Sequence, residues 1–223
     1  MNILAIETAT DLLSLAIGDG ARMHETSLAA GQRQAELILG EIDALLARSG
    51  LSVRDLGAVA YGAGPGSFTG LRIACGVAQG IAAARGIPVL GVSTLAAIAA
   101  GCDATRVIAC LDARMGEVYH AAFEKRDGAL HEVIPAGLRR PESVPLPPGE
   151  GWTGCGGGFA AHGEALAARF GARLAAVHPE VMPSAAAVLR LAAPRIAAGE
   201  GGDPATAVPV YLRDRVALKT AER

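Results

Sequence analysis

A chain of 223 residues that is 51% hydrophobic and 19% charged has the material for one sizeable core or two smaller ones, which excludes a disordered protein. Its formal net charge of −2 excludes a general basic sheath, so any contact with nucleic acid must be local or shared with a partner. The cysteines (75, 102, 110, 155) show neither a Cys-x-x-Cys pair nor a zinc spacing, and read as buried, reduced thiols of a cytoplasmic protein.

The chain opens on Met1-Asn-Ile-Leu-Ala-Ile-Glu7, which lacks the basic start of a signal peptide; none is expected. Gly, Arg or Gln interrupts the longer apolar tracts, so no membrane span is expected either. Asn2 to Ile6 and Leu12 to Ile17 are β-branched, apolar runs joined by the polar turn Glu7-Thr8-Ala9-Thr10-Asp11, the pattern of a hairpin with buried strands. A third strand follows near Met23 to Leu28. The spacing of Ile38, Ile42, Leu45 and Leu46 predicts a helix over Gln32 to Arg48, ended by Gly50 as its C′ residue.

Leu56 to Tyr61 is a short buried strand, and Thr69 to Arg85 an Ala-rich helix. Between them lies Gly62-Ala63-Gly64-Pro65-Gly66-Ser67-Phe68, a tight loop in which Ser67 is a candidate N-cap, as is Thr69 at the start of the helix. Strand, glycine-rich loop and helix in this order bring backbone N–H groups toward an anion. The P-loop requires Gly-Lys-Ser/Thr at its end, however, and this loop closes on Thr69-Gly70-Leu71-Arg72 with no lysine. A strand at Pro88 to Val92 and a helix at Thr94 to Gly101 complete a first half of order βββαβαβα.

At Asp103 the pattern restarts. Arg106 to Leu111, Glu117 to Glu124 and Ala129 to Ile134 read as strands, the last two joined by the hairpin signal Asp127-Gly128. Pro141 to Gly151 is a proline-rich loop, and Gly154-Cys-Gly-Gly-Gly158 leads into a helix over Phe159 to Phe170. Pro183 to Ala198 is the last long helix, and Val208 to Arg213 a final extended segment. Two related halves, 1–104 and 105–223, fit an actin-like (ribonuclease H-like) duplicated α/β fold of two lobes, with the last segment returning to the first lobe. A flavodoxin-like sheet would alternate strand and helix from the start.

Three features are candidate sites. Glu7, Thr8 and Thr10, with Gly64 and Gly66, stand where an actin-like ATPase binds phosphate, and a small ATPase or phosphotransferase using this turn is one reading; a polar hairpin turn is the other. On the helix after the central loop, Gly76 and Gly80, with Ala74, Ala83 and Ala84, leave a ridge of small side chains that needs a close neighbour, within the chain or in a partner. Arg72, Ile73, Val77 and Gln79 share that helix and could rim a contact. Asp112 and Arg114, with Glu117, cap a strand where they could pair near a cleft or simply fix a turn. The five histidines are dispersed in no ligand pattern, and no Gly-x-Ser-x-Gly appears, so a protease is not expected.

Several motifs together carry a resemblance. Ile3-Leu-Ala-Ile-Glu-Thr-Ala-Thr10, Tyr61 to Arg72, Gly91-Val-Ser-Thr-Leu95, Leu111-Asp-Ala-Arg114 with Glu117-Val-Tyr119, and Pro209-x-Tyr-Leu-Arg213 with Val216-Ala-x-Lys-Thr220 resemble, in order and nearly end to end, the TsaB (YeaZ) family. That resemblance implies a non-catalytic subunit that binds and activates the catalytic paralogue TsaD, with the ATPase TsaE, in threonylcarbamoyl transfer to the tRNA adenosine beside the anticodon. It implies no tightly bound cofactor, ATP being used through the partner subunits, tRNA met through the complex, and a homodimer when the chain is alone. It places the partner interface on helices of the first lobe, here Gln34, Ile38, Thr69, Arg72, Ile73, Gly76, Val77, Gly80 and Ala83. TsaD holds its metal with two histidines one helical turn apart, where this chain reads Ser93 to Ala99 with neither histidine nor acid; the metal chemistry is therefore expected to be absent. Where relatives carry a histidine at the start of the first helix this chain has Gln34, and Gly40 stands where a proline follows.

Overall fold

A computed structural model of the chain describes residues 1–20 and 22–213. The Val216–Thr220 motif lies outside the described residues. The first half runs β1 (Asn2–Glu7), β2 (Leu12–Gly18), β3 (Met23–Ala29), α1 (Gln34–Arg48), β4 (Leu56–Gly64), α2 (Phe68–Arg85), β5 (Val89–Ser93) and α3 (Thr94–Gly101). The second runs β6 (Arg106–Asp112), β7 (Val118–Arg126), β8 (Ala129–Arg139), β9 (Trp152–Cys155), α4 (Gly157–Phe170), β10 (Leu174–His178) and α5 (Ala185–Ala197).

The halves repeat one topology. One five-stranded sheet has the order β3-β2-β1-β4-β5 and the other β8-β7-β6-β9-β10. In each, the first three strands pair antiparallel and the fourth and fifth join parallel. The parallel pairs β4–β5 and β9–β10 need a crossover, and α2 and α4 supply it. The duplicated, two-lobed actin-like fold expected from element order is the fold observed. The halves differ where α1 has no counterpart: the proline-rich stretch between β8 and β9 carries only a 3-10 turn at Pro141–Ser143.

Alternation along each strand builds two layers on the first sheet. Leu4 and Ile6 of β1, with Val59 and Tyr61 of β4, face α1 and α2. Ile3 and Ala5 of β1, with Ala58 and Ala60 of β4, face the other way, onto Val188, Leu189 and Ala192 of α5. Helix α5 thus belongs to the second half by sequence and covers the first sheet. Helix α3 does the reverse: Leu95, Ile98 and Ala99 enter the core of the second sheet with Val107, Leu111 and Phe123. The lobes are joined by this exchange of helices as well as by the chain.

Local expectations meet the structure element by element. Ser67 is the N-cap of α2, its hydroxyl accepting from the Gly70 N–H at 3.3 Å, so Thr69 lies inside the helix. Gly50 follows α1 at φ +67°, and Asp127-Gly128 turns at φ +53° and +75°, left-handed values that suit these residues. The four cysteines are buried and free. Two strands went unread. Strand β9 has four residues, too few to show a period, and β10 is largely exposed, so neither reads as an apolar run.

Candidate functional site

Helix α2 has two faces. Leu71, Ala74, Cys75, Ala78 and Ala82 turn inward onto the sheet. Thr69, Arg72, Gly76, Gly80 and Ala83 are exposed, and Ile73 and Val77 are half-buried beside them at the edge of the core. These seven positions recur at intervals of three and four residues and so form one stripe along the helix. A Cβ at Gly76 or at Gly80 would meet nothing within 4 Å. Among the described residues, packing therefore does not require a glycine at either position.

At its N-terminal end the stripe meets an aromatic cluster. The Arg72 guanidinium lies 3.6 Å from the centre of the Phe68 ring, and its Nε donates to the Tyr211 hydroxyl at 3.0 Å. The Phe68 and Tyr211 rings are 5.4 Å apart. Both residues are more than a third exposed.

Gln34 and Ile38, placed by the resemblance in the partner interface, are not on the surface. Ile38 is 1% exposed, within the first core, and Gln34 is 4% exposed. The Gln34 amide donates to the carbonyls of Thr10 and Leu12, at 2.7 and 2.9 Å, and so ties the start of α1 to the turn between β1 and β2. A polar residue opening a helix reads as a surface residue unless the distant carbonyls are known. The outward face of α1 is instead carried by residues such as Leu39, which is 60% exposed.

The candidate nucleotide turn is divided in the same way. Glu7 is buried in the sheet, where its Oε1 accepts from the Ala9 N–H at 2.6 Å. Its Oε2 has no partner among the described residues and lies against Gly62, where a Cβ would collide with the carboxyl group. Burial pushes the Glu7 pKa from 4.5 up to about 7, against the lowering pull of the backbone bonds from Ala9 and Thr8. The buried Thr8 hydroxyl donates to the Gly70 carbonyl at 2.7 Å. Gly64 is buried beneath Leu71 and the Val210 carbonyl. Glu7 and Thr8 thus bond to neighbouring backbone, and all three residues are buried. The Ser67 N–H completes the join by donating to the Ala9 carbonyl at 2.8 Å.

Thr10 and Gly66 do reach an open space, a cleft of about 600 Å³ between the lobes. Across it stands the turn after β6. Asp112 there accepts from the Arg114 backbone N–H at 2.8 Å and pairs with the Arg114 side chain at 3.2 Å. His162 of α4 lies 3.4 Å from the same carboxylate, at a point where the helix departs from helical geometry. The His162 contact was not foreseen, because a single histidine inside a helix carries no partner signal. Among the described residues no three His, Cys, Asp or Glu side chains are grouped to hold a metal ion, and no helix is long and apolar enough to cross a membrane.

Two α/β lobes of one repeated topology, facing across a cleft, define an actin-like protein. The TsaD family model, described as tRNA N6-adenosine threonylcarbamoyltransferase, matches residues 28–218. The chain is 37% identical to the tRNA threonylcarbamoyladenosine biosynthesis protein TsaB of Escherichia coli, over 98% of this chain and 97% of the relative. It is 41% identical to the protein of the same name from Haemophilus influenzae, over 53% of this chain and 52% of that one. YeaZ from Pseudomonas aeruginosa superposes with a TM-score of 0.88 at 35% identity, covering 95% of this chain and 99% of that chain. The chain belongs to the TsaB (YeaZ) family.

Proposed function

We propose that this chain takes part in forming threonylcarbamoyladenosine in tRNA as a non-catalytic subunit that binds the catalytic paralogue TsaD, in concert with the ATPase TsaE, through the exposed face of α2. The observation that carries this reading is the stripe Thr69, Arg72, Ile73, Gly76, Val77, Gly80 and Ala83, with open space above both glycines. Helix backbones approach closely where side chains are small, and a cluster of aromatic and arginine side chains at one end supplies an anchor of the kind that dominates interface energies. The names of the relatives supply the pathway. In the absence of the partner the same face pairs with a second copy.

The competing reading, an ATPase or phosphotransferase at the Glu7-Thr8-Ala9-Thr10 turn, is disfavoured by the position of Glu7. Its carboxyl is 1% exposed and packed against Gly62, so it cannot orient a metal-bound water in the cleft. ATP is then used by the partner subunits and tRNA is met through the assembled complex.

Calorimetric titration with TsaD separates the two. Gly76→Leu and Gly80→Leu should each weaken TsaD binding at least ~10-fold, equivalent to ~1.4 kcal/mol, while leaving the thermal melt of the isolated chain intact. Unchanged affinity would remove α2 from the interface. Mg²⁺-dependent ATP binding by the chain alone, lost on Glu7→Ala, would instead establish the phosphotransferase reading.

A further inference from the structure

The segment after α5 recrosses the whole molecule. Gly202 bridges Val89 of β5, and the Gln79 amide of α2 then donates to the carbonyls of Pro204 and Ala207 at 3.2 and 2.9 Å. Tyr61 of β4 donates its hydroxyl to the Val208 carbonyl at 3.0 Å, and the Val210 N–H donates to the Ala63 carbonyl at 2.7 Å. Tyr211 closes this run on Arg72 and Phe68. Through Tyr211, therefore, the segment is bound to the first lobe alone.

The next two residues are bound to the second. Leu212 packs on the core that holds Leu111 and Tyr119. Arg213, with its side chain 16% exposed, pairs with Glu117 at 2.8 Å and donates to the Ala113 carbonyl at 3.0 Å. The turn it grips is an unusual one: Arg114, Met115 and Gly116 have φ of +61°, +56° and +72°, so three successive residues are left-handed, two of them with side chains. Arg213 and Phe68 both line the interlobe cleft. A small cavity of about 40 Å³ beneath the segment is walled by Gly66 and Leu71 from one lobe and Tyr119 from the other.

We propose that residues 204–213 are an interlobe clasp, anchored on α2 and β4 at one end and on the turn after β6 at the other, which sets the width of the cleft. The lobes of a hinged protein rotate about the elements they share, here α3 and α5, and any link across the cleft itself resists that rotation with the longest lever. The clasp is such a link. Its grip on the second lobe is concentrated in Arg213, whose Nη2 reaches the Glu117 carboxylate and the Ala113 carbonyl together. Its grip on the first lobe is spread over several hydrogen bonds, so Arg213 is where it releases.

The test is a distance measurement on the whole chain. Spin labels at Ala44→Cys on the exposed face of α1 and Ala161→Cys on that of α4 report the lobe separation, the four native cysteines being buried. Arg213→Ala should broaden the distance distribution and move its mean; Glu117→Gln should do so in part. Hydrogen exchange gives the counter-test. Faster exchange confined to Asp112–Glu117 with an unchanged distance distribution would mean that Arg213 only caps its turn, and would overturn the clasp. Should Arg213→Ala fail to fold, Glu117→Gln, which removes only the charge that Arg213 pairs with, must still broaden the distribution; a wild-type distribution in that variant would equally overturn the clasp.

Discussion

Glu7 and His120 are buried titratable groups whose protonation opposes one another. The folded-state pKa of Glu7, about 7, lies above the ordinary 4.5, so the fold favours the protonated form. Its stability is intact below pH 4.5 and is lost as pH rises through 7, by roughly 3 kcal/mol in all at ~1.4 kcal/mol per pH unit of separation. His120 is shifted the other way, from 6.5 down to about 4, by burial and then by the Arg139 charge, and neither ring nitrogen has a partner among the described residues. Its contribution is complete above pH 6.5 and is lost as pH falls through 4. Denaturant unfolding of Glu7→Gln should thus remove the alkaline decline between pH 4.5 and 7, and His120→Leu should flatten the acid limb. Gln34 makes a different demand. Gln34→Ala leaves two carbonyls without their donor and should cost ~1–3 kcal/mol in the same assay. None of these three roles was legible, because each depends on what lies across the sheet or at a distant turn. For Glu7 the sequence showed an acid in a polar turn; the fold continues β1 through it and buries it.

At the scale of the element, α2 was the most legible part of the chain. The N-cap Ser67, the alanine-rich inward positions and the recurrence of Gly76 and Gly80 on one side were visible as a pattern of period 3.6. Spacing alone left open whether the small residues accommodate a neighbour within the chain or one outside it. The structure leaves the space above both glycines open. A sharp consequence follows: Gly76→Ala and Gly80→Ala should each stabilise the isolated chain by about 0.5–1 kcal/mol, since a helical alanine restricts the unfolded chain and meets no clash here. If α2 is the partner face, the same substitutions should weaken the TsaD complex. Thermal melts of the free chain beside titrations of the complex would therefore move in opposite directions. A destabilised free chain would show that the glycines serve the fold instead.

At the scale of the molecule, duplication was legible because the order of elements repeats, and element order survives the loss of individual signals such as β9 and β10. What could not be read was the exchange of α3 and α5 between the lobes. Both are apolar helices with little to distinguish one sheet from the other as a destination. Their exchange makes the two cores interdependent, so the lobes should unfold together. A single transition with coincident fluorescence from Trp152, in the second lobe, and far-ultraviolet dichroism would meet that expectation; two separated transitions would contradict it.

The sequence by itself determined the class of fold, the positions of most helices and the family, through local periodicity, turn chemistry and a chain of motifs in fixed order. These are properties of neighbouring residues, and they need no knowledge of what packs where. Only the tertiary structure decided which polar residues are buried, which face of α2 stays open, and that the segment after α5 passes from the first lobe to the second at Leu212 and Arg213. Those outcomes rest on contacts between residues that are far apart along the chain, as Arg72 and Tyr211 are, and no period or motif records such a pairing.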